Sequence, residues 1–400
     1  MEHLLKDGEE FASFITAVAE RELGVQHDVR ATLDELTMRV GYDHFHSGLT
    51  GRDITDTATQ WQVLESDRWL GSRARSVFHD LRALVIRTHL IPVEARTHNQ
   101  PAQISTLGRK FAMHLEQLSA AIWRLQRTRA EYSIRAVSGT VGNGAELEEL
   151  GILNRFAMTK LLYNALGVPI AQDQRMCITQ GQIYPREEDR AWVDGLIGIG
   201  AALSNFAHTV RLLAGRGVAW EGYADQRIGS SSMPHKRNPS RSERICGLYS
   251  VLCGFGDMLS HVAGSQWEEG DVSCSVVQRV ALSGASFALD AMLQSAHDVI
   301  VGLGWNESVT GEELCEREPG LVSSLAVAVL VKGGIPQALA YENIKKDNRM
   351  GDELRNQLSA RAIRKAAEIA MTVANREEGD QYRIDENPHY HLNPKWEAVR

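Results

Sequence analysis

The chain has 400 residues, of which 43% are hydrophobic and 24% charged, and it carries a formal net charge of −8. That balance excludes a disordered, collagen-like or low-complexity chain and speaks against a duplex-DNA or anionic-membrane binder, while leaving room for a local basic pocket. Five scattered cysteines, Cys177, Cys246, Cys253, Cys274 and Cys315, form no CxxC pair and suit a reducing compartment better than a disulfide framework.

The first residues, MEHLLKDGEEFASF, are charged and lack the apolar stretch of a signal peptide. No run approaches about 18 uninterrupted apolar residues, so a cytoplasmic protein with no membrane span is expected. Residues 42–58 (YDHFHSGLTGRDITDTA) and 96–106 (RTHNQPAQIST) read as polar linkers before helices. Leu107, Phe111, Leu115, Leu118, Ile122 and Leu125 then recur at helical steps. Residues 138–144 (SGTVGNG) break the pattern. Trp192, Leu196, Ile199, Leu203, Phe206, Val210 and Leu213 predict a helix over 187–213. At about 1.5 Å per residue it would be roughly 40 Å long, normal for an extended bundle and too long for a small compact domain.

Residues 214–239 form the next break. The stretches 240–264 and 274–302 are helix-compatible, although Gly254, Gly256, Gly264 and Gly284 weaken the pattern locally. After about residue 303 the chain becomes more polar, and from 375 onward it reads as weakly ordered or wrapped over the surface. No βαβ rhythm, dinucleotide fingerprint or internal repeat is found. The apolar stripes are core, not cofactor boxes.

The densest chemical signal is GSSSMPHKRNP at 229–239. Small hydroxyl residues after a glycine give a loop whose N–H groups can line an anion, with Lys236 and Arg237 adding positive charge. The competing reading is a flexible basic surface loop leading into a helix at Pro239-Ser240. Two other polar breaks carry histidines. His27 precedes Asp28, a carboxylate able to fix an imidazole tautomer if the backbone folds back. His98, in Thr97-His98-Asn99-Gln100, lies just before a long helix that would give it a rigid base. No HExxH and no paired Cys/His spacing compels a metal centre.

GSSSMPHKRNPSRSE (229–243) resembles the signature loop of the fumarase/aspartase superfamily, and its flanks are most similar to adenylosuccinate lyases. QHDV (26–29), HSGLTGRDITDT (46–57), THNQPAQISTLG (97–108), ITQGQIYPR (178–186) and QWEEGDVSCSVVQR (266–279) continue the similarity in order. The resemblance implies an all-α fold with a shortened N-terminal helical domain (1–92) and a small C-terminal helical domain and tail (304–400). Between them it places a central bundle of five long helices (93–303) carrying the signature loop (225–240). It implies a homotetramer whose active sites draw on several subunits, and an anti β-elimination releasing fumarate without metal or organic cofactor. The substrate would be a small anionic N-succinyl compound, first adenylosuccinate and also the succinyl-carboxamide ribotide of purine biosynthesis.

Carried over residue by residue, the base falls on Ser230, with Ser231 as the fallback. His98 matches the general acid and His27 a second histidine that orients substrate. Lys236 and Asn238 would hold the succinyl carboxylates, Glu243 would position a histidine, and Gln182 would contact the succinyl or base portion. Thr97, Ser138 and Thr140 fall at substrate hydrogen-bonding positions, and Ser275 and Arg279 at the phosphate end. Three departures gather at that end. Gly270 replaces an arginine, Gly51-Arg52 replaces a serine pair, and residues 1–26 hold no counterpart of an Arg/Tyr phosphate-binding pair. Arg52 is a candidate replacement, and an arginine restored at Gly270 is expected to strengthen binding of a phosphorylated substrate. Two alternatives stay open: a lyase of the same mechanism acting on another succinylated amine or aspartate derivative, and a non-catalytic helical homologue. A nucleic-acid-binding module is disfavoured, because no basic stripe runs along the helices.

Overall fold

The computed structural model describes residues 8–168, 170, 174–222, 230, 232–346 and 351–376. Two compact units are each assembled from three stretches of chain. The first holds 1–70, 127–194 and 253–286, and the second 71–126, 195–252 and 287–400. The expected weak order beyond 375 falls almost entirely outside the described residues.

Helices α1 (Gly8–Val25) and α2 (Asp28–Val40) open the first unit. Glu35 of α2 ties them together by accepting from Arg21 at 2.9 Å and from Arg39 at 2.7 Å. The 38-residue helix α3 (Gly51–Thr88) begins inside the stretch read as a linker. Asp53 explains the start, because its carboxylate reaches back to the Thr50 N–H at 2.8 Å and satisfies an amide that the first turn leaves open.

Residues 96–106, read as a second linker, belong instead to an antiparallel hairpin of β1 (Pro92–Thr97) and β2 (Gln100–Thr106). A register shift between Ala95 and Arg96 breaks its alternation. Ile104 on β2 joins an apolar cluster with Leu321, Val322, Ala326 and Leu358.

Helix α4 (Leu107–Glu131) carries the first apolar stripe and buries every one of its six members. A short parallel pair, β3 (Ile134–Arg135) and β4 (Met176–Cys177), brackets α5 (Ala145–Glu149) and α6 (Arg155–Ala165). Helix α7 (Glu187–Gly215) closely matches the span read from its periodicity. β5 (Ala219–Trp220) pairs with β6 (Gly304–Trp305), and between them lie α8 (Ser240–Ala263) and α9 (Ser273–Gly302). Among the described residues four shorter helices follow: α10 (Glu307–Leu321), α11 (Ser323–Lys332), α12 (Gln337–Lys346) and α13 (Asp352–Ala374).

The five long helices α3, α4, α7, α8 and α9 contribute to both units. In the second unit the Phe111 and Phe206 rings join α4 to α7 with centroids 5.9 Å apart. A Cβ at Gly200 of α7 would lie 2.9 Å from Leu252 of α8, so glycine sets that close approach. In the first unit the Phe255 ring fills the space a side chain at Gly284 would need. Of the glycines that weaken the helical pattern there, Gly284 is therefore a packing position, whereas a Cβ at Gly254 or Gly264 would meet nothing within 4 Å.

The core of the first unit includes buried polar and charged side chains. Asp189 is fully buried and accepts from the Tyr184 hydroxyl at 2.7 and 2.9 Å, from Tyr132 at 3.3 Å and from Gln278. Burial pushes its carboxyl up to about 6, against the opposing pull of Arg186. The folded state thus keeps a proton that the unfolded chain releases near pH 4, and stability is expected to fall as pH rises from about 4 to about 6. Asp189→Asn should flatten that slope, worth about 3 kcal/mol over the window. Urea midpoints at the two ends of the window test it, and equal slopes in both proteins would contradict the assignment.

Candidate active site

In the second unit, Ser230 is half-buried, and its Oγ accepts from the Ser232 N–H at 3.4 Å and the Met233 N–H at 3.2 Å. Two amides aimed at one hydroxyl oxygen favour its deprotonated form, as an oxyanion hole does. The segment turns through Lys236, whose N–H donates to Met233 O at 3.0 Å, leaving the Lys236 side chain exposed and Asn238 half-buried. Glu243 lies in the first turn of α8.

That turn is fixed by a residue the sequence reading missed. The buried Glu221 carboxylate accepts from the Arg241 N–H at 3.2 Å and the Ser242 N–H at 2.6 Å. A carboxylate on the amides of a helix N-terminus satisfies orphan donors and complements the dipole. Nothing local in the sequence marks Glu221, since it acts across some twenty residues. Ser231 and residues 223–229 lie outside the described residues.

His98 sits at the tip of the β1–β2 hairpin, with Thr97 paired to Gln100 across a two-residue turn. His98 and Asn99 both have positive φ, 51° and 59°. A type I′ turn requires that conformation at both positions. The imidazole is exposed, and its rigid support is the hairpin rather than the start of α4.

The first unit gathers the remaining candidates. His27 caps α2, its Nδ1 accepting from the Arg30 N–H at 3.3 Å, so the neutral ring carries its proton on Nε2. This cap, rather than Asp28, fixes the tautomer. Asp28 accepts from the Val29 N–H at 2.8 Å and from Arg279 at 2.9 Å. Burial raises the Asp28 carboxyl, but those two donors outweigh it and hold the group below the usual range. Arg279 is thereby paired, and Ser275 lies one turn before it on α9.

Asp53 and Arg135 are the other residues the reading missed, and both side chains are fully buried in an ion pair. Asp53 also accepts from the N–H groups of Ser138 at 2.9 Å and Gly139 at 3.1 Å. Arg135 donates through Nε to Gln182 O at 3.0 Å, and the Gln182 amide donates to Thr140 O at 2.7 Å. Ser138, Thr140 and Gln182 are thus brought together around one buried pair. The Ser138 hydroxyl is itself buried between Ala136 O and the Gln180 amide.

Arg52, the candidate replacement at the phosphate end, lies in the first turn of α3. It is 11% exposed, 3.5 Å from Asp56, and donates to Asp271 O at 3.1 Å. Gly270 changes its meaning. With φ of +127° and a Cβ position 2.9 Å from Ile183 Cγ1, the site rejects a side chain. Gly270→Arg is therefore expected to destabilise the protein by roughly 1–3 kcal/mol through backbone strain, without improving phosphate affinity. A thermal melt beside a phosphate-competition assay checks both halves, and an unchanged melting temperature would overturn the strain argument.

Residues 1–254 match the family model described as Lyase. An adenylosuccinate lyase of Archaeoglobus fulgidus is 29% identical over 332 residues, covering 82% of this chain and 72% of the relative. That of Pyrococcus abyssi is 28% identical, covering 94% of this chain and 80% of the relative. Among solved structures, a 3-carboxy-cis,cis-muconate lactonizing enzyme from Pseudomonas putida superposes with a TM-score of 0.75 at 19% identity, covering 90% of this chain and 84% of that one. A fumarate lyase from Mesorhizobium sp. BNC1 gives 0.73 at 19% identity, covering 94% and 91%. At those identities the structural likeness speaks for the fold alone.

Proposed function

We propose, for a chain that belongs to the lyase family of the fumarase/aspartase superfamily, that it cleaves adenylosuccinate to AMP and fumarate, and the succinyl-carboxamide ribotide likewise. The observation that carries this reading is the Ser230 oxygen facing two backbone amides within the SSSMPHKRN segment. Serine is a weak base in water. Amide donors and nearby cations lower the free energy of its alkoxide where water is excluded.

Ser230 takes the proton from the carbon beside a succinyl carboxylate, and Ser231 is its fallback. The negative charge that develops on that carboxylate is met by Lys236 and Asn238. As the C–N bond breaks, His98 protonates the departing nitrogen and fumarate leaves. His27 orients the substrate through its Nε2–H, and Glu243 positions a histidine. Thr97, Ser138, Thr140 and Gln182 supply hydrogen bonds, and Ser275 and Arg279 line the far end.

The working form is a cytoplasmic homotetramer with shared sites. Helices α7, α8 and α9 are long and apolar enough, by length and composition, to cross a membrane, and only 22% of the most apolar stretch of α8 is buried. Val251, Val276, Val280 and Phe287 are exposed on α8 and α9. We read these uncovered faces as subunit interfaces, which charged residues such as Arg244, Asp257 and Arg279 on the same two helices favour over lipid.

A second reading, a lyase for a succinylated amine without phosphate, is favoured by one set of contacts. Arg279 and Arg52 are each already beside a carboxylate, and the backbone at Gly270 disfavours the arginine that would complete a phosphate site. Fumarate release measured from adenylosuccinate, its carboxamide relative, argininosuccinate and aspartate separates the two. Turnover of adenylosuccinate supports the first reading, turnover of a non-phosphorylated substrate alone supports the second, and fumarate from none sinks both.

A further inference from the structure

The hairpin ladder is not alone in holding the tip that carries His98. Arg96, at the end of β1, donates through Nη1 to the Asn99 carbonyl oxygen at 3.0 Å, bracing the two-residue turn. Its Nε donates to Glu94 at 2.6 Å, and its Nη2 donates to the same carboxylate. Glu94 is fully buried and accepts as well from Arg216 at 2.7 Å and from Arg317 of α10 at 3.0 and 3.2 Å. Arg216 in turn reaches Glu313 of α10. One buried carboxylate therefore gathers three guanidiniums, and only that of Arg96 also touches the turn.

This bracing matters because the turn is conformationally demanding. Non-glycine residues seldom adopt positive φ, and histidine has a Cβ that crowds the following carbonyl there. A planar guanidinium with several fixed N–H directions can hold the anchor and the carbonyl at once, which a lysine ammonium on a flexible stem cannot do with the same geometry.

We infer that Arg96, anchored by Glu94, is a positioning residue that fixes the left-handed turn and so aims the His98 imidazole. The inference rests on reading His98 as the acid for the leaving nitrogen. A reacting group displaced by about 1 Å can lose a factor of about 10² in rate, so Arg96→Lys is expected to lower kcat about 10- to 100-fold with KM within about twofold.

The test is a cycle of Arg96→Lys, His98→Asn and the double variant in the full chain, with Arg317→Lys as the comparison. Asparagine is chosen at 98 because it tolerates positive φ and removes the acid without disturbing the turn. Arg96→Lys should be nearly silent in the His98→Asn background, and Arg317→Lys, which touches Glu94 but not the turn, should leave kcat close to wild type. An equal loss in both backgrounds, or the same loss from Arg317→Lys, overturns the positioning role while leaving the role of His98 intact. If His98→Asn alone leaves turnover unchanged, the reading of His98 falls. The inference is then judged by the NMR chemical shifts of the His98 ring, which must move in Arg96→Lys, and static shifts overturn it. Should Arg96→Lys fail to fold, Arg96→Gln carries the same measurements.

Discussion

Replacing Ser230 with alanine is expected to lower turnover by about 10²–10⁴-fold, the usual contribution of a positioned acid or base, while substrate binding stays measurable. The separation of the two effects is the informative part. Ser230 Oγ accepts from the Ser232 and Met233 amides, so alanine deletes one acceptor on a partly exposed segment and leaves the donors to water. The carboxylate-binding groups assigned to Lys236 and Asn238 are untouched. Equilibrium binding of a substrate to the inactive variant, beside steady-state rates, makes the comparison. A rate within about threefold of wild type would remove Ser230 from the role of base and shift attention to Ser231.

Asp53→Asn should produce the largest change in stability, about 3–5 kcal/mol, because it removes the charge that compensates a fully buried guanidinium. Arg135 is left uncompensated with no access to water. Three backbone amides, those of Thr50, Ser138 and Gly139, also lose a charged acceptor. The exposed Lys365–Glu368 pair at 3.5 Å is the fitting control, since breaking a surface pair of that kind changes stability by well under 1 kcal/mol. Urea unfolding of both variants tests the contrast. Equal small losses would mean that Arg135 finds another partner. The variant should also raise KM if the Ser138–Thr140 loop contacts substrate, because Asp53 is what shapes that loop.

The sequence revealed the long helices wherever their buried faces were apolar. The stripes on α4 and α7 were legible because almost nothing polar interrupts them. Helix α3 escaped because it buries Asp53, Asp56, Thr57, Gln60 and Asp67, which erase the hydrophobic period from its first half. Its start was nonetheless encoded in Thr50-Gly51-Arg52-Asp53, a hydroxyl residue followed three positions later by a carboxylate. The β1–β2 hairpin escaped because the shift at Ala95/Arg96 and Pro101 spoil its alternation.

The candidate site shows the same division. Ser230, His98 and His27 stood out because their neighbours form recognisable local patterns. Asp53 and Arg135 did not, because they lie 82 positions apart and meet only once the helices pack. Glu221 and Glu94 are likewise single acidic letters whose partners are distant in the chain. The groups proposed to meet the substrate each sit in a short local motif, and the buried groups that hold those segments steady do not.

The two-residue connection at His98-Asn99 carries a consequence for how this chain tolerates change in length. Surface connections ordinarily accept extra residues at little thermodynamic expense, because loop entropy grows slowly with length. Here one added residue would abolish the paired left-handed conformation and draw the Asn99 carbonyl away from Arg96, or slip the ladder and send alternate side chains of β2 to the opposite face, taking Ile104 out of its apolar cluster. Water exposure and freedom to accept insertions therefore part company at this tip, and in a library of single-residue insertions it should behave like the interior of the molecule.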